Sequence, residues 1–444
     1  MLDKFKNLSQ NLAQKVADKA SEVNAKAGQR AKTTEEEKYV VALDIGTEFV
    51  KALIGRVQDD NVEIVGVGRA HQQLSDMQAG AIADISSVVA NCDQALSDAE
   101  REAGVSVRTA VIGIAGELVK GMTTTVRVTR KQPDKALDLV EVEKIIKLVQ
   151  ERAENKAKKQ LAWELGGKEV DVRLVNSALV GIEIDGYKVT SPIGFQGRDV
   201  VVQLYTAFAP MIHIGALERT AQQLDLDLLA VAAEPFAVAR SVIGNDANAS
   251  MSAILMDVGG GTTDIAVIND GGVQGTKMFG IGGRAYTRAI ERELGVSFTQ
   301  AEELKVSLST HNASKPKLPA IEGALGKTLD VWTSGVELAL SEFNNKLDHL
   351  PHRLFLCGGG SSLDMLMDRL ENSDWYTELP FTRKPIVQHI MPEQVVGIVD
   401  KTGNVNDHTF ITAMGLLRVG LDTLQFSSNP GDSVREKIDK MLRV

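Results

Sequence analysis

Apolar and polar positions alternate along this chain in two periods, and one arrangement occurs twice. Tyr39-Val-Val-Ala-Leu-Asp44-Ile45 and Phe49-Val-Lys-Ala-Leu-Ile-Gly-Arg-Val57 flank Gly46-Thr47-Glu48. Ser252-Ala-Ile-Leu-Met-Asp257-Val258 and Ile265-Ala-Val-Ile268 flank Gly259-Gly260-Gly261-Thr262-Thr263-Asp264. Each reads as an apolar strand reaching an Asp, a Gly/Thr turn and a second apolar strand, which predicts two β-hairpins. Their repetition predicts two related halves. Between them the pattern gives a helix near 85–102, strands near 109–114 and 123–128, and a long charged helix near 139–165. Strands near 170–175, 181–184 and 200–206 follow. Beyond the second hairpin come helices near 285–294 and 299–308, a polar loop at 311–317, and a helix near 329–347. A strand at 353–357, the turn Gly358-Gly359-Gly360 and a helix from about Leu363 come next.

The two ends differ from this α/β body. At helical spacing Leu2, Phe5, Leu8, Leu12, Val16, Ala20 and Val23 share one face, with Lys4, Lys15 and Lys26 on one flank and Lys6 on the other. The polar run Thr33–Glu37 follows as a hinge. Near the other end, Ser433-x-x-Glu436 is a capping box after Asn429-Pro430-Gly431, and Val434, Ile438, Met441 and Leu442 share a face. Arg435, Lys437, Lys440 and Arg443 flank that face. Full burial of Leu2, Phe5, Leu8, Leu12 and Val16 is worth about 5–10 kcal/mol gross, and each basic residue near anionic lipid adds roughly 1 kcal/mol. Lys19 intrudes on the first stripe, which suits snorkelling at a membrane surface better than a dry core. The alternative is a helix packed on its own domain or on a partner helix.

The 444 residues allow two to four domains at about 100–200 residues each. With 49 Lys+Arg against 59 Asp+Glu, the net charge of -10 argues against non-specific nucleic-acid binding. No apolar run approaches the length of a membrane span, and the first residues lack the apolar core of a secretory signal. Cys92 and Cys357 have no C-x-x-C partner, so no disulfide framework is expected. Pro351 between His349 and His352 spoils helical ligand spacing for a metal.

The Gly turns carry the candidate chemistry. A polyphosphate needs backbone N–H groups aimed at its oxygens, and glycine permits the close approach. An Asp at the end of the preceding strand sits beside the phosphates, where it can hold a hydrated Mg²⁺. Two merely structural hairpins are the alternative. No G-x-x-x-x-G-K-[ST] is present, which excludes a P-loop, and no strand-linked G-x-G-x-x-G with its ribose-binding acid points to a dinucleotide fold. Gly359 and Gly360 leave room for a flat ring against the backbone, as a plain strand-to-helix turn also does.

Two hairpin motifs, the segment Ala233-Glu234-Pro235-Phe236-Ala237-Val238-Ala239 and the late Gly turn occur in the order of the actin/Hsp70/hexokinase superfamily, which the chain resembles over about residues 38–425. Within it the chain resembles the bacterial cell-division family FtsA and, next, PilM of type IV pilus machines. Ile82–Val89, Thr109–Ala115 and Pro192–Gly197 carry that narrower resemblance. It implies an actin-like α/β ATPase fold: an amphipathic helix and linker (1–37), a first half (38–83, 183–250 and a return at 396–430), an insertion subdomain (84–182), a second half (251–395) and a C-terminal amphipathic helix (431–444). The second half would hold a reduced small subdomain (299–350), which puts binding of the tubulin-like FtsZ in doubt.

The resemblance also implies roles. Asp44 and Asp257 would hold Mg²⁺ through water; Gly46, Thr47, Gly259, Gly260, Gly261 and Thr262 would bind ATP phosphates. Glu234 would orient an attacking water, unless it is simply an acid at a helix N-terminus. Gly282, Glu302 and Lys305 would contact ribose and adenine, although Glu302 and Lys305 are also an ordinary i,i+3 pair, and Gly359 and Gly360 would face adenine. The implied function is a membrane-associated, filament-forming scaffold of cell division, cytoplasmic and peripheral on the inner face of the membrane, with slow ATP turnover at most. Its partners would be itself, an FtsZ-like or other division protein, and the membrane surface through residues 1–33 and 433–444. A PilM-like adaptor capturing a peptide of an inner-membrane pilus protein is the alternative, and a small-molecule kinase of the same superfamily a third reading.

Overall fold

The structure, a computed structural model, describes residues 38–58, 60–243, 250–309, 318–344 and 346–428. Both expected amphipathic ends lie outside the described residues.

The chain opens on a meander, β1 (Lys38–Ile45), β2 (Phe49–Gln58) and β3 (Asn61–His71), followed by a short ribbon, β4 (Met77–Gln78) and β5 (Ala81–Ile82). Helix α1 (Ile85–Ala103) starts at Asp84, whose carboxylate accepts the Ser87 N–H, and stops at Gly104, where φ is +70°. It lies directly on β3: a Cβ at Gly68 would come within 1.8 Å of Ala95 O, and one at Gly66 within 2.2 Å of Ala99 O. Then come β6 (Thr109–Ile114), β7 (Lys120–Thr129), α2 (Leu139–Glu164), β8 (Val172–Ile184), β9 (Tyr187–Val189) and β10 (Asp199–Pro210). Helix α3 (Met211–Gln223), β11 (Asp227–Ala233) and α4 (Glu234–Ile243) complete this part.

A second meander, β12 (Ala253–Val258), β13 (Thr263–Asn269) and β14 (Gly272–Phe279), leads to α5 (Gly283–Leu294), α6 (Phe298–Ser309) and α7 (Leu318–Ser341). The chain closes with β15 (Arg353–Cys357), α8 (Asp364–Asn372), β16 (Ile386–His389), β17 (Ile398–Asp400) and α9 (Ile411–Ser428).

The repeat read from the hairpins extends to topology. One sheet runs β11-β6-β1-β2-β3-β17, and the other contains β16-β15-β12-β13-β14. In each, an antiparallel meander is extended from its first strand by two parallel strands. The second sheet continues through β7-β10-β8-β9, and this added layer joins β14 through the pair Gly275–Met122. Helix α2 covers it, burying Val142, Ile145, Ile146 and Val149 against Val126, Ile182, Val200 and Leu204. The segment 84–182 is therefore divided: α1 and β6 belong to the first sheet, seated by the β3 glycines, while β7, α2 and β8 build the added layer with β9 and β10.

Helices α4 and α9 cross beneath the first sheet at backbone contact, for a Cβ at Gly415 would lie 2.4 Å from Ala237 O. Arg240 of α4 donates to Asp422 of α9 at 2.6 Å, and Arg418 pairs with the same carboxylate at 3.1 Å. Beyond the second meander, the described residues from Phe298 to Ser341 form two helices and no strand. Trp332 of α7 is fully buried and donates its indole N–H to Thr263 Oγ1 at 2.9 Å, which ties these helices to the second hairpin. No described helix is long and apolar enough to cross a membrane.

Candidate functional site in the cleft between the halves

The two hairpin turns face each other across a cavity of about 600 Å³. In the first, Gly46 N–H donates to Phe49 O at 3.1 Å; in the second, Gly259 N–H donates to Thr262 O at 2.9 Å. Strand register then fixes the chemistry at their bases. Asp44 stands opposite Lys51 and Asp257 opposite Asp264, equivalent places in the two meanders. With Glu234, the first residue of α4, these side chains line the cavity floor.

Four acids thus meet one lysine. Lys51 Nζ lies 3.0 Å from Asp44 Oδ2, and both side chains are largely shielded from solvent. Burial pulls the Lys51 pKa down, but Asp44, helped by Asp257, raises it above the usual amine value. Burial pushes the Glu234 carboxyl well above its ordinary range, and Asp44, Asp264 and Asp257 push it further. Asp264 is raised well above its ordinary value by burial and then by Asp257, and its Oδ1 is buried without a hydrogen-bond partner. Asp257 is raised too, mainly by burial, although the Thr412 hydroxyl donates to it. Such an oxygen-lined site, with four carboxylates against one lysine, fits a hydrated divalent cation. Among the described residues no three His, Cys, Asp or Glu side chains converge as a direct metal-ligand set, so the fit is to an ion that keeps its waters.

Of the residues picked out in the sequence, Asp44, Gly46, Thr47, Glu234, Asp257, Gly259, Gly260, Thr262, Glu302, Lys305, Gly359 and Gly360 all line this cavity. Gly261 and Gly282 stand behind it. A Cβ on Gly261 would press on Thr47 Oγ1 at 2.8 Å, and one on Gly282 would meet Gly259 O at 2.6 Å. The glycines of the third turn differ likewise. A Cβ at Gly359 would meet open space, whereas one at Gly360 would lie 2.8 Å from Val258 O. Glu302 and Lys305 are more than a surface pair: Lys305 Nζ donates to Glu302 at 2.8 Å, to Thr287 Oγ1 at 3.0 Å and to Gly283 O at 3.1 Å.

Sequence reasoning missed several lining residues. Lys51 is a charge set into the apolar run Phe49–Ile54, a readable signal, and its pairing with Asp44 follows from hairpin register. Arg284 had no such signal. From the start of α5 it crosses the cleft, donating from Nε to Glu48 Oε2 at 2.8 Å and from Nη2 to Thr47 O at 2.7 Å, while His71 Nε2 lies 2.8 Å from the other Glu48 oxygen. Arg69, Asp264 and Thr412 were also passed over.

The family model of cell division protein FtsA matches residues 254–415. The chain resembles FtsA, and its fold is actin-like. It is 27% identical over 271 residues to the FtsA of Pseudomonas aeruginosa, covering 61% of this chain and 60% of that protein. With the FtsA of Bacillus subtilis the identity is 27% over 271 residues, 60% of this chain and 57% of that one. The chain therefore spans about three fifths of the length of these FtsA relatives. A solved PilM-PilN type IV pilus biogenesis complex shares the fold, with a TM-score of 0.63 at 16% identity over 86% of this chain and 98% of that one. The FtsA match runs from β12 into α9, including the second hairpin and the third Gly turn but not the first hairpin.

Proposed function

We propose that the cleft binds ATP with Mg²⁺ and that the chain is an FtsA-like, membrane-associated scaffold of cell division. The carrying observation is the pair of Gly turns facing each other over one cavity, with Asp44, Lys51, Asp257 and Asp264 at their bases. Phosphate oxygens would take the N–H groups of Thr47, Gly260 and Thr262, while the Gly46 and Gly259 N–H groups close their own turns. Lys51 would neutralise them, and Asp44 and Asp257 would hold the waters of Mg²⁺, which when bound would offset phosphate charge. Ribose and base would lie toward Glu302, Lys305 and the open side of Gly359. Glu234, whose carboxyl burial pushes well above its ordinary range, would orient a water, in keeping with slow turnover. Terminal segments at 1–37 and 431–444 would flank the two halves and the added layer of β7–β10. Membrane attachment would come from residues 1–33 and 433–444, self-association would strengthen it by avidity, and an FtsZ-like or other division protein would be the partner.

The test is co-sedimentation of the full chain with anionic liposomes, with and without ATP and Mg²⁺, followed by negative-stain microscopy. ATP-dependent filaments or lipid-bound arrays that disappear when residues 1–33 are deleted support the scaffold. A chain that binds ATP yet stays monomeric and off lipid refutes it. A second reading, a PilM-like adaptor that captures a peptide of an inner-membrane partner, draws on the shared PilM fold and on the strand-free described part of 298–341.

A further inference from the structure

Arg69 is the cleft residue whose role neither turn explains. It stands on β3 directly opposite Lys51, which stands opposite Asp44, so Asp44, Lys51 and Arg69 form one row across three neighbouring strands. All three line the cavity. The equivalent row of the second meander is Asp257, Asp264 and Met278, with no cation. Two like charges directly opposite each other in a sheet are destabilising, and burial already lowers the Arg69 pKa. Lys51 is compensated by Asp44, whereas the Arg69 side chain has no ion pair or hydrogen bond among the described residues. Its guanidinium lies over the Phe49 ring, 3.5 Å from the centroid, which fixes the plane without neutralising the charge. The acids that act on it, Asp407 and Glu48, are both engaged elsewhere. Glu48 is held by Arg284 and His71, and Asp407 caps Thr409.

A planar arginine whose side chain has no ion pair, beside a lysine on the same wall of the cavity, is suited to an anion with several oxygens. Lys51 and Arg69 stand on the first half, whereas Glu302, Lys305 and Gly359 stand on the second, whose cations Arg284 and Lys305 are held by Glu48 and Glu302. A phosphate chain whose base lies toward the second half therefore presents its far end to the first. We infer that Arg69 contacts the terminal phosphate of the bound nucleotide and makes the cleft selective for a triphosphate over a diphosphate. This inference rests on the nucleotide reading above.

Calorimetric titration of the full chain with ATP and with ADP, each with Mg²⁺, tests it in the wild type, Arg69→Gln and Arg69→Lys. Arg69→Gln should weaken ATP binding at least 10-fold and ADP binding less than 3-fold. Arg69→Lys should keep the ADP affinity and lose most of the preference for ATP. Thermal melting without ligand should show the Gln variant no less stable than wild type, because a like-charge contact has gone. Equal loss for both nucleotides, or no loss for either, overturns the assignment while leaving nucleotide binding intact. A wild type that binds neither nucleotide overturns the underlying reading as well.

Discussion

The contact from Arg284 to Glu48 and Thr47 is the clearest polar tie between the facing turns, and removing it should loosen the cleft by a measurable amount. Arg284 and Glu48 are 12% and 20% exposed, so the pair lies between a surface ion pair, worth about 0.2–1 kcal/mol, and a buried charge pair, whose truncation costs about 2–5 kcal/mol. His71 still holds Glu48 after Arg284→Ala, which spares the variant a fully orphaned carboxylate. The hydrogen bond to Thr47 O at 2.7 Å is lost in addition. Together these place the cost near 2 kcal/mol, about a 30-fold shift from closed toward open. Hydrogen exchange of the ligand-free protein reads this directly through the amides of Gly46–Glu48 and the first turn of α5. Wild type and Arg284→Ala should differ about 30-fold in protection there and little in α1, which packs on β3 through Gly66 and Gly68. Protection within 3-fold of wild type at both turns would refute the reasoning, and so would an equal loss throughout the chain.

Three other outcomes are expected. A carboxyl whose pKa is raised by folding holds its proton more tightly when folded, so the ligand-free protein should lose stability as pH rises through the raised pKa of Asp264 and Glu234; melting temperature should fall from acidic to mildly alkaline pH, and Asp264→Asn should flatten that slope. Lys51→Met leaves Asp44, Glu234, Asp257 and Asp264 without their neighbouring cation, and affinity for Mg-ATP, read by titration, should drop at least ~30-fold, about 2 kcal/mol. Gly68→Ala forces a Cβ to 1.8 Å from Ala95 O, a backbone contact that cannot rotate away, and should cost about 3 kcal/mol in denaturant unfolding.

How far the sequence revealed this molecule depended on whether a signal was local. The hairpins at Asp44 and Asp257 were legible because a strand, a Gly/Thr turn and a second strand fit within about twenty residues each, and their repetition announced two related halves. The strand Arg353–Cys357 and the helix Leu139–Glu164 were legible for the same reason. Helix α9 was not: Ala413, Met414, Leu416 and Leu417 are all buried, so no polar face marks its period. The helix expected near 329 begins at Leu318 instead, with Pro319 in its first turn, where a missing N–H costs nothing. Within the site, Gly359 and Gly360 look alike in sequence, yet one meets open space and the other a carbonyl. Arg284 was invisible because its partners lie more than 200 positions away.

The link from β14 to β7 carries a mechanical implication. The added layer leaves and rejoins the chain through the first half, yet its sheet is stitched to the second by the Gly275–Met122 pair, beside a bond from Thr123 Oγ1 to Val273 O at 2.6 Å. On its other flank Asn176 of β8 accepts the Ala233 N–H at 2.7 Å, just before Glu234. The layer is therefore a strut spanning both lobes. Rotation of one lobe against the other must either drag this strut along or slip at its narrow seam, where few ladder bonds resist shear. A load applied to the exposed Tyr187 end of the strut would then be felt at the backbone that carries Glu234.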